Sequence, residues 1–194
     1  MPRALSIIRD EHRTIAAILH GMEYLVREVH THRKKVDPHV FRAMLYYLDT
    51  FAQRVHHPKE DRYLFALMRQ RSEEAGRVIA KLEEEHASGE EALRRLAQAM
   101  VRYEEGGDRE FAGFEREVGN FVEGYRVHMR REEEELFPLA LGLLTPLDWV
   151  MVDSAMEEDT DPLAAAREEK NLDELFNRIV SIAPPPIGVG PAGG

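Results

Sequence analysis

The chain has 194 residues, no cysteine, and 36 acidic against 26 basic side chains, a formal charge of −10 with nine histidines counted as neutral. That length suits one domain with a short appendage, and the absent cysteines exclude disulfides, iron–sulfur ligation, thiolate zinc sites and cysteine nucleophiles. The acidic balance argues against nucleic acid or an anionic membrane as a partner, and no apolar run reaches the roughly 18–20 residues that span a bilayer.

The N-terminal apolar stretch, Ala4-Leu5-Ser6-Ile7-Ile8, is too short for a secretory signal, so a cytoplasmic protein is expected. From there the apolar residues recur at helical spacing. Ile7, Ile8, Ile15, Ile18, Leu19, Met22, Leu25 and Val26 trace a first stripe. Asp37-Pro38, a cap followed by proline at the first helical position, opens a second. It runs through Val40, Phe41, Met44, Leu45, Leu48, Phe51, Ala52 and Val55. Ser72 with Glu73-Glu74 caps a third, through Val78, Ile79, Leu82, Leu93, Leu96 and Met100. Gly106-Gly107-Asp108 separates it from a fourth, through Phe111, Phe114, Val118, Phe121, Val122, Tyr125, Leu136, Phe137 and Leu141.

Thr145-Pro146 and Asp161-Pro162 repeat the cap-then-proline device for one or two short helices, and Ala183 onward is Pro/Gly-rich. Short connections between long helices imply antiparallel neighbours. The expected fold is all-α: an up-down-up-down four-helix bundle over 1–142, a short helical extension over 143–182 and a flexible tail over 183–194. Trp149 and the extension are expected to pack on the bundle or to form a homodimer surface.

The histidines give this scaffold a chemistry. His56-His57-Pro58-Lys59-Glu60 and His128-Met129-Arg130-Arg131-Glu132 match at an offset of 72, each followed by Leu-Phe (Leu64-Phe65, Leu136-Phe137). A His-x-x-x-Glu pair puts both side chains on one helix face. A single copy is a weak signal, since ordinary helices supply it often; two copies in matching apolar context are a strong one. Register supports the pairing. Counted from turns near 35, 73 and 106, His12 lies 23 residues before the first and His56 21 after it. Glu60 and His86 each lie 13 from the second, and His86 and His128 lie 20 and 22 from the third. One histidine from each helix therefore falls in one layer, within roughly one turn of about 5.4 Å. Glu60 and Glu132 point to the same end of the bundle and can converge on two cations. Imidazole and carboxylate together suit iron, manganese or zinc.

The set His12, His56, Glu60, His86, His128 and Glu132 resembles the hemerythrin family in its HHE cation-binding branch. Asp10-Glu11-His12, His57-Pro58-Lys59-Glu60-Asp61, Glu84-Glu85-His86 and Leu136-Phe137-Pro138 sit where that family keeps similar residues. The resemblance covers roughly 5–142. It implies two non-haem irons with carboxylate and oxo or hydroxo bridges and an open position for dioxygen, nitric oxide or peroxide. Three roles follow from it: binding or sensing, enzyme-like reduction of peroxide or nitric oxide, or iron storage and donation for iron–sulfur cluster repair. The chain departs from the oxygen carriers in the third helix, where Glu90 stands in place of a second histidine. It is closer to the branch linked to cluster repair, without that branch's cysteine-containing N-terminal segment.

The neighbouring candidates have ordinary explanations. His57 is turned about 100° from His56 on an α-helix and is expected beside the centre or at the surface. His20 is expected in the core or at the surface, and His30, His32, His39 and Glu90 at the surface or in a loop. Glu133 is the alternative to Glu132, Glu83-x-x-His86 reads as coincidence, and Pro58 is expected to bend the second helix next to the ligands.

Overall fold

A computed structural model describes residues 1–32 and 36–158, with the isolated positions 174, 177, 179–181, 183 and 187. The described residues form an all-α bundle with no strand among them. The second short helix expected after Asp161-Pro162, and most of the 183–194 tail, lie outside the described residues.

Four long helical rods carry the bundle. The first is Arg3–His32. The second runs over 38–71 without a break in helical winding, its N-cap Asp37 accepting a hydrogen bond from the His39 backbone N–H. The third, Glu73–Gly106, is capped by Ser72, whose hydroxyl accepts from the N–H groups of Glu74 and Ala75. The fourth covers 108–143. Gly107 joins the third and fourth at φ 64° and ψ −144°, a combination that side chains other than glycine's strongly resist. First and second, second and third, third and fourth, and fourth and first rods touch.

A shorter helix, Pro146–Glu158, crosses the end of the bundle. Thr145 and Asp148 cap it reciprocally: the Asp148 carboxylate accepts from the Thr145 N–H and hydroxyl, and the Thr145 oxygen accepts from the Asp148 N–H. Asp153 from this helix accepts from the Ala4 N–H at 2.7 Å, satisfying a free donor at the start of the first rod. Val152 and Met156 are buried and Trp149 packs beside them, so the expectation that Trp149 rests on the bundle is met.

The stripes read from sequence form the core, except that Leu141 points to solvent and Val55 is half-buried outside both apolar clusters. That core is divided in two. One apolar cluster gathers Ile15 to Val26, Val40 to Ala52, Leu93 to Met100 and Phe114 to Met129. The other gathers Ala4 to Ile8, Leu64 to Met68, Ala75 to Leu82 and Leu136 to Leu144. Each buried Leu, Ile or Phe adds roughly 1.5–3 kcal/mol through removal from water. The residues between the clusters are polar, and all are buried: His12, His56, His57, Glu60, His86, His128 and Glu132.

Candidate metal centre

This polar layer occupies positions that helical periodicity would otherwise give to apolar residues. His12 falls on the first rod's buried stripe between Ile8 and Ile15. In the second rod the winding widens to π-helix over Leu48–His56 and again over Glu60–Phe65. The fourth does the same over Glu132–Leu136. The His57, Ala66 and Phe137 N–H groups each reach the carbonyl five residues back. Pro58 sits between the two wide stretches. Its ring cannot donate and would clash with a carbonyl four residues back, and the wider turns relieve that conflict. Neighbouring residues on such a turn diverge by less than about 100°, which lets His56 and His57 both face inward.

The four layered histidines direct Nε2 at the two glutamates. His12 Nε2 lies 3.0 Å from Glu132, His56 Nε2 3.6 Å from Glu60, and His128 Nε2 3.5 Å from Glu132. His86 Nε2 lies between the two acids, 3.8 Å from Glu60 and 4.0 Å from Glu132. None of these approaches has hydrogen-bond geometry. The Nε2 atoms of all four, His57 Nδ1 and all four oxygens of Glu60 and Glu132 are buried without a hydrogen-bond partner among the described residues. Burial of that many unpaired polar atoms costs several kcal/mol unless something else satisfies them. Lone pairs from nitrogen and oxygen alone, all turned to one space, fit a cation such as iron, manganese or zinc.

The opposite ring nitrogens form a closed circuit. Glu11 of the first rod accepts from His56 Nδ1 of the second at 2.7 Å. Asp61 of the second accepts from His86 of the third at 3.1 Å, and Glu85 of the third from His128 of the fourth at 3.3 Å. Glu133 of the fourth accepts from His12 of the first at 2.9 Å. A carboxylate on Nδ1 fixes the tautomer that leaves Nε2 bare, the usual support for a metal-binding imidazole. Arg131 in turn pairs with Glu85.

Electrostatics follow the same geometry. Burial lowers the pKa of His56 and His128, against the pull of Glu11 and Glu132 respectively. Burial acts the same way on His12, but Glu132 and Glu133 outweigh it and raise that ring above its ordinary value. Burial and the Glu132 charge push Glu60 well up. Burial also pushes on Glu132, yet His128, His12 and His56 hold it low.

The structure thus brings all six expected residues together, in two sets that share both acids. Ligand-capable atoms of His12, His56, Glu60 and Glu132 lie within 4.8 Å of one another, as do those of Glu60, His86, His128 and Glu132. Glu133 is the partner of His12 and half-exposed, not a substitute for the buried Glu132. Glu83 pairs with Arg69, and Glu90 with Arg94, at the surface. His20 is exposed; His30 pairs with Glu115 and His39 with Asp37 at the surface.

His57, expected beside the centre or at the surface and left out of the ligand set, lies beside the centre, and the four supporting carboxylates have no role in the sequence reading. His57 is buried, stacks on His86 at 3.9 Å between ring centres, and groups with His86 and His128. Burial and the surrounding imidazoles, His86 first, pull its pKa well down. Its Nε2 lies 2.9 Å from the Tyr125 hydroxyl, a phenol that burial and the Glu60 charge keep protonated. The carboxylates had one available signal, since Glu11, Asp61, Glu85 and Glu133 each adjoin an expected site residue in sequence.

No curated protein and no solved structure matches the chain. None of the helices among the described residues is long and apolar enough to cross a membrane. The donor set has a counterpart in a known family: residues 3–140 match the hemerythrin HHE cation binding domain, and the chain belongs to that family.

Proposed function

We propose that this protein holds two metal ions, iron first among them, and uses them to bind dioxygen, nitric oxide or peroxide in sensing or stress response. On this reading residues 1–142 are an up-down-up-down bundle. His12 and His56 hold one ion, His86 and His128 the other, and Glu60 and Glu132 serve both. The observation that carries it is the set of buried, unpartnered nitrogen and oxygen atoms in two groups with common acids. Bound ions supply open coordination positions and a redox couple to such a ligand.

The chain's own residues do the rest. Glu11, Asp61, Glu85 and Glu133 orient the rings, while Phe65, Leu136 and Phe137 close one side against water. Between the third and fourth rods a cavity of about 350 Å³, walled by Gly89, Ala92 and Gly124, reaches His57, Tyr125 and His128. It offers a small molecule a path inward, which favours ligand binding over storage.

The test is metal analysis of protein grown with iron, with an optical spectrum after reduction and exposure to air. Two transition-metal ions per chain and a new charge-transfer band are expected, and the His56→Ala/His128→Ala double variant should lose both. Absence of transition metal in the native chain, or unchanged metal in the double variant, refutes the reading. Turnover of peroxide or nitric oxide would assign the enzyme-like role instead.

A further inference from the structure

The repeat at offset 72 pairs His56 with His128 and Glu60 with Glu132, but it pairs His57 with Met129. The second rod therefore carries an imidazole for which the fourth has no counterpart. That ring is also reversed. The other four buried histidines direct Nδ1 at a carboxylate and leave Nε2 without a partner. His57 directs Nε2 at the Tyr125 hydroxyl and leaves Nδ1 without a partner, in a group with His86 and His128.

A neutral imidazole carries one proton, and the tyrosine hydroxyl can either donate or accept. Were Tyr125 the donor, the His57 proton would sit on Nδ1, buried and lacking an acceptor. That is the costly arrangement. With Tyr125 as acceptor, Nε2 carries the proton and Nδ1 presents a bare lone pair, as Nε2 does in the other four rings. The cavity lined by His57, Tyr125 and His128 has room for a water that accepts a hydrogen bond from the phenolic O–H.

We propose that His57 enters the centre through Nδ1 as a fifth imidazole, beside His86 and His128, and that Tyr125 is the positioning residue that fixes its tautomer by accepting the Nε2 proton. This rests on the metal-centre reading above. It makes the two ends of the centre unequal, with three rings at one end and two at the other. A second histidine in the third helix is then unnecessary, because the second rod supplies the ring.

Two measurements test it. Long-range proton–nitrogen NMR of the metal-free chain reads each tautomer directly. His57 should carry its proton on Nε2 and His56, His86 and His128 on Nδ1, and Tyr125→Phe, which removes a single oxygen, should leave His57 a mixture. Cobalt(II) titration then reads the site without any activity assay. Tyr125→Phe should weaken cobalt binding at one of two positions by roughly 10–100-fold. His57→Ala should weaken it at least as much and alter the visible band that reports coordination number. Should His57→Ala fail to fold by circular dichroism, Tyr125→Phe decides. A proton on His57 Nδ1 in the native chain overturns the proposal. So does unchanged cobalt affinity in the variants while the native chain binds two ions, a result that leaves the metal-centre reading standing. A native chain that takes no cobalt overturns both.

Discussion

Glu60→Gln should invert its effect on stability between the metal-free and metal-loaded protein. Metal-free, the Glu60 carboxyl is fully buried beside Glu132 and its pKa is raised well above 4.5 by burial and by that neighbour. A raised folded pKa gives a contribution fully present below the unfolded value and lost as pH rises toward the folded one. Across that window the native chain gives up about 1.4 kcal/mol per pH unit relative to a side chain that does not titrate. Glutamine keeps the shape and can donate its amide N–H to Glu132, so the two proteins should be near parity at pH 4.5. Above pH 4.5 the variant should lead by about 1.4 kcal/mol for each pH unit that lies below the folded value, or roughly 3–6 °C in Tm per unit. Metal reverses the order. A bound ion at a hundred times its Kd adds roughly 3 kcal/mol, and the variant lacks an acid common to both groups of ligand-capable atoms. Calorimetry of chelator-treated and reloaded protein at pH 4.5 and 6.5 reads all four cases. A metal-free variant that melts below the native chain at pH 6.5 would refute the argument that Glu60 is an uncompensated buried acid.

Acid should also weaken the metal-free fold, since His56, His57 and His128 have depressed pKa values and the unfolded chain binds more protons. Urea midpoints should therefore fall from pH 7 through the region below 6.5. His12 acts in the opposite sense, its contribution present below 6.5 and lost as pH rises, so His12→Gln should steepen the decline on acidification. Phe41→Ala removes a ring packed edge-on against Phe114 at 5.1 Å and should cost about 3–5 kcal/mol, read as a Tm drop of roughly 6–20 °C. Phe41 belongs to the apolar cluster alone, so the metal content of folded variant should stay unchanged. Gly107→Ala has space for its methyl group but not the backbone angles, and should cost about 1–3 kcal/mol by urea melt.

Much of this centre was legible because periodicity and chemistry disagree at its positions. His12 interrupts an otherwise apolar stripe, and the His-x-x-x-Glu pair recurs where Leu-Phe also recurs. The register count placed His86 beside Glu60, and the structure sets them 3.8 Å apart. His57 stays outside the ligand set in the sequence reading because 3.6-residue winding turns it away from His56, whereas the rod is π-helical on both sides of Pro58. That winding has no signature in a pattern of apolar residues; the proline was the only hint. The supporting carboxylates were hidden for a related reason. Each stands next to a site residue and would face away from it on its own helix, but it meets the histidine of the neighbouring rod instead.

The division of labour between the two pairs of rods has a consequence for assembly. The pair before Ser72 contributes His12, His56 and Glu60, and the pair after it contributes His86, His128 and Glu132. Each lends its acid to the other's pair of imidazoles. Asp61 to His86 and Glu133 to His12 add two reciprocal hydrogen bonds across the same seam. The peptide link at Ser72 is thus one fastening among several. A chain severed there leaves two fragments, each lacking the acid that completes its own imidazole pair. Such fragments are built to find one another, and a cation that needs donors from both would act as the clasp.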